Sequence, residues 1–167
     1  VATMDEVVPG RRGVALTAAP LLGAWIARQL PGALLIGPDE EAEQWVRVAA
    51  QAHGLDHAVC HKQRNGDRDV DVALPGLPVA GRAVVLFDDV ASTGRTLVTA
   101  ARGLLQQGAA SVDVAVTHGL FVDDAVAQIH AAGVRHLWST DCVPHASNVV
   151  SVVPLLAQAL RELAATQ

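Results

Sequence analysis

Apolar positions along this chain switch between two spacings: short unbroken runs, and stretches with an apolar residue every third or fourth position. Residues 33–37 (ALLIG) form an apolar run that stops at Pro38, as a strand does. Residues 40–53 then place Ala42, Val46, Ala49 and Ala50 on one helical face, with Gly54 to end the helix. A second strand is expected at 57–60. The polar stretch 61–71 carries Asn65-Gly66, a strong hairpin signal, and Val70 and Val72 alternate there with Asp69 and Asp71. Residues 83–87 (AVVLF) read as a central strand buried on both faces. Further along, the pattern predicts a helix over 96–107 closed by Gly108, a strand over 112–117, a helix over 122–132 closed by Gly133, and a strand over 136–139. Helices are also expected over 21–30 and from Pro154 to about residue 165. This alternation implies an α/β fold: a mostly parallel sheet flanked by helices, with a β-hairpin flap.

Composition narrows the picture. The chain has 167 residues, enough for one core, and is 51 % apolar but only 3 % aromatic. Such a core is built from Ala, Val and Leu, which suits α/β layers better than an aromatic-rich sandwich. The net charge of −5 comes without a long basic block, so a nucleic-acid partner has no electrostatic support. No apolar run reaches the roughly 20 residues of a membrane span. No secretory signal is expected in residues 1–10, and Cys60 and Cys142 form no CxxC pair, so a cytoplasmic setting without disulfide or zinc is expected.

The strongest chemistry lies in residues 84–96. A buried strand delivers Asp88 and Asp89 at its C-terminal end, where open α/β sheets bind ligands. The short loop Ser92-Thr93-Gly94 then opens directly into a helix beginning with Arg95 and Thr96. Loop amides and a helix N-terminus make a phosphate site, the hydroxyls of Ser92, Thr93 and Thr96 add donors, and Gly94 lets backbone approach a ligand. The GxxxxGK pattern of a Walker loop is absent. Carboxylates beside such a cradle suit ribose hydroxyls or a hydrated Mg²⁺. An acidic turn before an ordinary helix is the plainer alternative.

This segment resembles the phosphoribosyl pyrophosphate (PRPP) signature of type I phosphoribosyltransferases and ribose-phosphate pyrophosphokinases. The resemblance implies that Asp88 and Asp89 contact ribose hydroxyls, while Ser92, Thr93, Gly94, Arg95 and Thr96 wrap the 5-phosphate. Ser92 departs from the acid common in relatives, and Arg95 from a second glycine. The Gly37-Pro38-Asp39 turn is similar to the pyrophosphokinase turn whose Asp helps hold Mg²⁺; from the residues alone, Asp39 is also a helix N-cap. His61-Lys62-Gln63-Arg64 resembles the cationic pair on that family's mobile catalytic flap, which makes Lys62 and Arg64 catalytic candidates. Lys62 is the single lysine in the chain. The run from 108 through 117–121 to 139–144 resembles the family's C-terminal part. His145, Ser147 and Asn148 fall in a loop expected to border the site, whereas His118 reads as a strand-end residue.

The resemblance implies a ribose-phosphate pyrophosphokinase of nucleotide biosynthesis, acting on ATP and ribose 5-phosphate with Mg²⁺, and a homo-oligomer. The family's N-terminal half, with its Asp-Leu-His metal segment, has no counterpart here. Residues 1–20 are therefore expected to connect from a missing half into a single domain over 21–167. Two rivals remain: a phosphoribosyltransferase that consumes PRPP, disfavoured by the scarcity of base-reading aromatics, and a non-catalytic PRPP-binding regulatory domain that would dispense with the flap cations.

Overall fold

The computed structural model describes residues 13–65, 69–73 and 78–165. Among them, in chain order, are α1 (Ala19–Gln29), β1 (Leu34–Gly37), a 3-10 turn (Glu40–Ala42), α2 (Glu43–Gln51), β2 (Asp56–Val59), β3 (His61–Asn65) and β4 (Asp69–Ala73). They continue with β5 (Ala83–Ala91), α3 (Arg95–Gln106), β6 (Ser111–Gly119), α4 (Ala125–Ala131), β7 (Val134–Thr140), β8 (Asn148–Val150) and α5 (Val153–Ala165). Six strands form a sheet in the order β2-β1-β5-β6-β7-β8, with every neighbouring pair parallel. β3 and β4 form a separate antiparallel pair.

The sheet buries both faces, which is why β1 and β5 read as continuous apolar runs. On one face Leu34, Ile36, Val84, Leu86 and Val114 pack against Leu97, Ala100 and Leu104 of α3 and Ile129 of α4. On the other, Leu35, Val85, Phe87 and Ala115 pack against Leu22 and Ile26 of α1 and Val46, Ala49 and Ala50 of α2. The chain leaves β1 toward β2 and leaves β5 toward β6. Right-handed crossovers running in opposite directions put α2 and α3 on opposite faces. The sheet thus has a topological switch point between β1 and β5.

The order of elements follows the sequence reading, and the differences have physical reasons. β5 extends past Phe87 to Ala91 because β6 keeps pairing with it, Val90 opposite His118 and Ala91 opposite Gly119. Asp88 and Asp89 therefore lie within a strand rather than beyond it. The expected helix over 122–132 begins only at Ala125, since Phe121 (φ 39°) and Asp123 (φ 54°) are left-handed and cannot be helical. α1 begins at Ala19, so the last residues of the expected connector are already helical, and residues 1–12 lie outside the described ones. In the hairpin, Asn65 pairs with Asp69, a wider closure than a two-residue Asn-Gly turn would give; Gly66 lies outside the described residues.

β8 and one polar contact were not foreseen. Asp113, fully buried in β6, sits where the β6–β7 register slips between Val112 and Val114. Its carboxylate fills this bulge, accepting from Arg135 Nη2 (2.7 Å), from the His136 amide (3.1 Å) and from His136 Nδ1 (2.8 Å). The Arg135 side chain is 46 % exposed and that of His136 60 %, so solvent reaches both partners of the buried carboxylate. Replacing Asp113 by Ala takes away the shared acceptor of the His136 amide and the Arg135 guanidinium, and is expected to cost about 1–3 kcal/mol of unfolding free energy. Asp113→Asn, which keeps an acceptor, costs less. Urea denaturation of both variants measures the difference.

Candidate functional site

The switch point opens a crevice because the two central strands stop at different heights. β1 pairs with β5 as far as Ile36 opposite Leu86, whereas β5 continues to Ala91. The stretch beyond Leu86 has a strand neighbour only on the β6 side. Asp88 and Asp89 occupy it, facing the turn that carries Asp39.

Two hollows meet there. The first, about 180 Å³, is lined by Asp88 and by the loop into α3: Ala91, Ser92, Thr93, Gly94, Arg95 and Thr96 among others. The second, about 550 Å³, is lined by Asp39, Glu41, Gln44, Trp45, Asp88, Asp89 and Val90. Asp88 and Val90 belong to both. The structure therefore places Asp39, Asp88 and Asp89 around one hollow and Ser92 to Thr96 around the other, with Asp88 common to both.

The loop into α3 is built to leave donors open. Gly94 is the N-cap residue (φ 69°, ψ 5°), no side chain caps the helix, and its first turn holds no acid. The first intrahelical bond is Val98 N to Gly94 O (2.9 Å), so the amides of the opening turn have no partner within the helix. Such a turn carries a partial positive charge that suits an anion. Gly94 lines the small hollow and also serves packing. A Cβ built on it would meet Ile129 Cδ1 of α4 at 2.8 Å, so the missing side chain makes room for that helix.

Just behind the loop, Ala91 O accepts from the Leu120 and Phe121 amides (2.9 and 3.0 Å), and Ser92 O from the Val122 amide (3.1 Å). Phe121 reaches this position only in left-handed backbone, which costs a non-glycine residue about 1–2 kcal/mol.

Electrostatics mark Asp88. Burial, followed by the neighbouring acids Asp89 and Asp39, pushes its carboxyl up from 3.8 to about 7, although a hydrogen bond from the Asp89 amide (2.9 Å) works in the opposite direction. Asp39 caps the 3-10 turn, accepting from the Glu41 amide at 3.2 Å, so the capping reading is realised. Among the described residues no group of three or more His, Cys, Asp or Glu is disposed to enclose a metal ion. Burial also pushes the Cys60 thiol up to about 12, with help from Asp39, leaving it inert. Glu41, Gln44 and Trp45 were not singled out as site residues in the sequence. Gln44 and Trp45 follow Glu41 by three and four residues, and that spacing was the signal, since it places them on one helical face.

Lys62 and Arg64 lie on β3, opposite Val72 and Val70 in the hairpin register. The hairpin is rooted beside the crevice, because the Cys60 amide bonds Gly37 O (2.9 Å), two residues before Asp39.

Comparison with known proteins gives this geometry its context. The phosphoribosyl synthetase-associated domain matches residues 68–163. The chain belongs to that family. Ribose-phosphate pyrophosphokinases are among its relatives: that of Methanosarcina acetivorans is 38 % identical over 90 % of this chain and 53 % of its own length. The enzyme of Methanopyrus kandleri is 37 % identical over 89 % of this chain and 52 % of its own length. The chain thus spans about half the length of the curated relatives it matches. Phosphoribosylpyrophosphate synthetase from Mycobacterium smegmatis superposes with a TM-score of 0.73 at 26 % identity, over 90 % of this chain and 51 % of that one. Adenine phosphoribosyltransferase from Trypanosoma brucei shares the fold alone (TM-score 0.57, 16 % identity, 78 % of this chain and 68 % of that one). The type I phosphoribosyltransferase-like fold is therefore established for this family member. No helix among the described residues is long and apolar enough to cross a membrane.

Two outcomes follow from the site's packing and charge. Gly94→Ala adds a Cβ against Ile129 in left-handed backbone and should cost about 2–4 kcal/mol, read as a lower urea midpoint at unchanged slope. For Asp88 the pKa is higher in the fold (about 7) than in the unfolded chain (3.8), so the folded state binds more protons between these values. Stability at this residue falls as pH rises from about 4 to 7 and is level above that. Asp88→Asn should therefore melt about 2–6 °C above the parent at pH 8, with the gap closing steadily toward pH 4, in a thermal scan across pH.

Proposed function

We propose that this chain is the ribose-5-phosphate-binding C-terminal half of a ribose-phosphate pyrophosphokinase, the enzyme that moves a diphosphoryl group from ATP to ribose 5-phosphate. The observation that carries this reading is the pairing of an uncapped helix N-terminus with the Asp88 carboxylate across one small hollow at the sheet's switch point, with Asp89 in the hollow that adjoins it. The pyrophosphokinase relatives, which align over nine-tenths of this chain, support it.

In this reading the 5-phosphate sits on the opening turn of α3. The amides there and the hydroxyls of Ser92, Thr93 and Thr96 satisfy its oxygens, and the guanidinium of Arg95 offsets its charge. Asp88 and Asp89 accept from the ribose hydroxyls. This fixes the sugar so that its C1 oxygen points toward the larger hollow beneath Asp39. The C1 hydroxyl attacks the β-phosphorus of ATP, the bond between the α- and β-phosphates breaks, and AMP leaves. Lys62 and Arg64 belong to the hairpin expected to close over this exchange, where two cations offset charge that grows in the transition state.

The residues present fit Mg²⁺. The ion needs only one or two carboxylates when substrate phosphates and water complete its shell, so the lack of a three-acid cage is no obstacle. The excess acidity that raises Asp88 beside Asp39 is of the kind a cation relieves. Asp39 would hold the ion, which when bound would neutralise phosphate charge. Residues that grip the adenine belong, in this reading, to the half of the relatives that this chain does not cover. The chain then binds ribose 5-phosphate without making PRPP unaided. The expected connector over residues 1–20 and the homo-oligomer belong to the same proposal.

Isothermal titration tests the reading. Ribose 5-phosphate should release binding heat where ribose does not, and Asp88→Asn with Asp89→Asn should weaken binding at least about tenfold. Lys62→Ala and Arg64→Ala should leave the affinity largely intact while abolishing synthesis in a full-length enzyme carrying the same changes. Equal heats for ribose and ribose 5-phosphate would sink the assignment. AMP release by the 167-residue chain alone would overturn the claim that it cannot turn over.

A further inference from the structure

We propose that Phe121 and His145 form a brace that aims the phosphate-binding amides, so both are positioning residues for the proposed ribose-5-phosphate site on which this inference rests. The argument begins with peptide planarity. In a trans peptide the C=O and the following N–H point in opposite directions. The Leu120 and Phe121 amides hold Ala91 O, and the Val122 amide holds Ser92 O. These two carbonyls are thereby turned toward the 120–122 segment, and the amides of Ser92 and Thr93 in the same peptide planes are turned away from it. Any rotation of the 120–122 segment rotates those donors.

What holds this segment is the ring of Phe121. Its backbone is left-handed (φ 39°), a conformation that relaxes unless side-chain packing enforces it. Packing does so on two sides. Gly119 has no side chain, and a Cβ there would meet the Phe121 ring at 2.5 Å, so the ring lies directly on the strand. The His145 ring closes the other side, with centroids 4.9 Å apart and planes inclined by 48°.

His145 is itself fixed by polar contacts. The Ser147 amide donates to its Nδ1 (3.1 Å), and Ser147 Oγ lies 2.7 Å from the same nitrogen. Ser147 Oγ is 2.7 Å from the buried Ser139 Oγ at the end of β7. Asn148 Nδ2 ties Ser139 Oγ (2.8 Å), Thr140 O (2.6 Å) and Val143 O (3.1 Å), and Asn148 Oδ1 accepts from the His145 amide (2.9 Å). A mutually satisfied network of this kind, anchored on the buried Ser139 and Ser147, is rigid. It passes the position of the β7–β8 loop to Phe121, and from Phe121 to the amides of the loop before α3. None of these residues lines the phosphate hollow, so their effect on a ligand is indirect.

The test combines amide hydrogen exchange with calorimetry on the 167-residue chain. In Phe121→Ala and His145→Ala, the Leu120 and Val122 amides, which are bonded to Ala91 O and Ser92 O, should exchange about tenfold or more faster, while amides of 34–36 in the core keep their protection. Phe121→Tyr, which keeps the ring, should restore wild-type exchange. Should Phe121→Ala fail to fold, Phe121→Leu and His145→Ala carry the same test. Affinity for ribose 5-phosphate should fall with loop protection, again about tenfold. Unchanged exchange at Leu120 and Val122, or acceleration spread equally over this segment and the core, would overturn the brace. If the wild type shows no affinity for ribose 5-phosphate while the loop-specific exchange response is present, the brace stands and the functional reading falls.

Discussion

The unequal height of β1 and β5 governs everything else at this site. A strand inside a parallel sheet has both backbone edges occupied, and its side chains are covered by helices on either face. β5 obeys this as far as Leu86 and then loses β1 as a neighbour, while β6 carries it on to Ala91. The stretch in between is held rigidly along one edge and left open along the other. Carboxylates placed there are immobile and half desolvated, yet accessible. That combination explains why Asp88 is reluctant to ionise and why the fold tolerates the cost: a sugar hydroxyl or a cation can answer the carboxylate directly.

The same topology supplies an opposite charge nearby. Because the crossovers diverge at the switch point, α2 begins on one side of the crevice and α3 on the other. The turn into α2 is capped internally by Asp39, whereas α3 has no capping side chain. One helix start is thus closed and acidic and the other open and positive, within reach of a single small molecule. A sugar phosphate, with an anionic end and a hydroxylated ring, matches that polarity.

Much of this could be read from the chain because the features carrying it are local. The apolar face of 42, 46, 49 and 50, the apolar run of 83–87 and the Asp-Asp-to-Ser-Thr-Gly passage each express themselves within a dozen residues. What escaped depends on partners distant in sequence. β8 is a three-residue strand in a polar loop, joined to β7 without the helix that a parallel pair usually implies, so periodicity carries no trace of it. The extra length of β5 is imposed by β6. The late start of α4 reflects left-handed backbone at Phe121 and Asp123, which a Phe does not announce and an Asp announces only weakly. Gly94 was recognised as necessary, but the steric reason lies with Ile129, 35 positions further on. A lone acid within the apolar run 112–116 was the available hint of the Asp113 bulge.

The contrast between the two thiols gives the chain a built-in chemical handle. Cys60 is sealed beneath the hairpin root and stays protonated up to strongly alkaline pH, while Cys142 stands exposed in the turn after β7. A maleimide dye would therefore stop at one adduct per native molecule. That label would sit a few residues from the His145 brace, where the colour of the dye could report the loop's posture in real time.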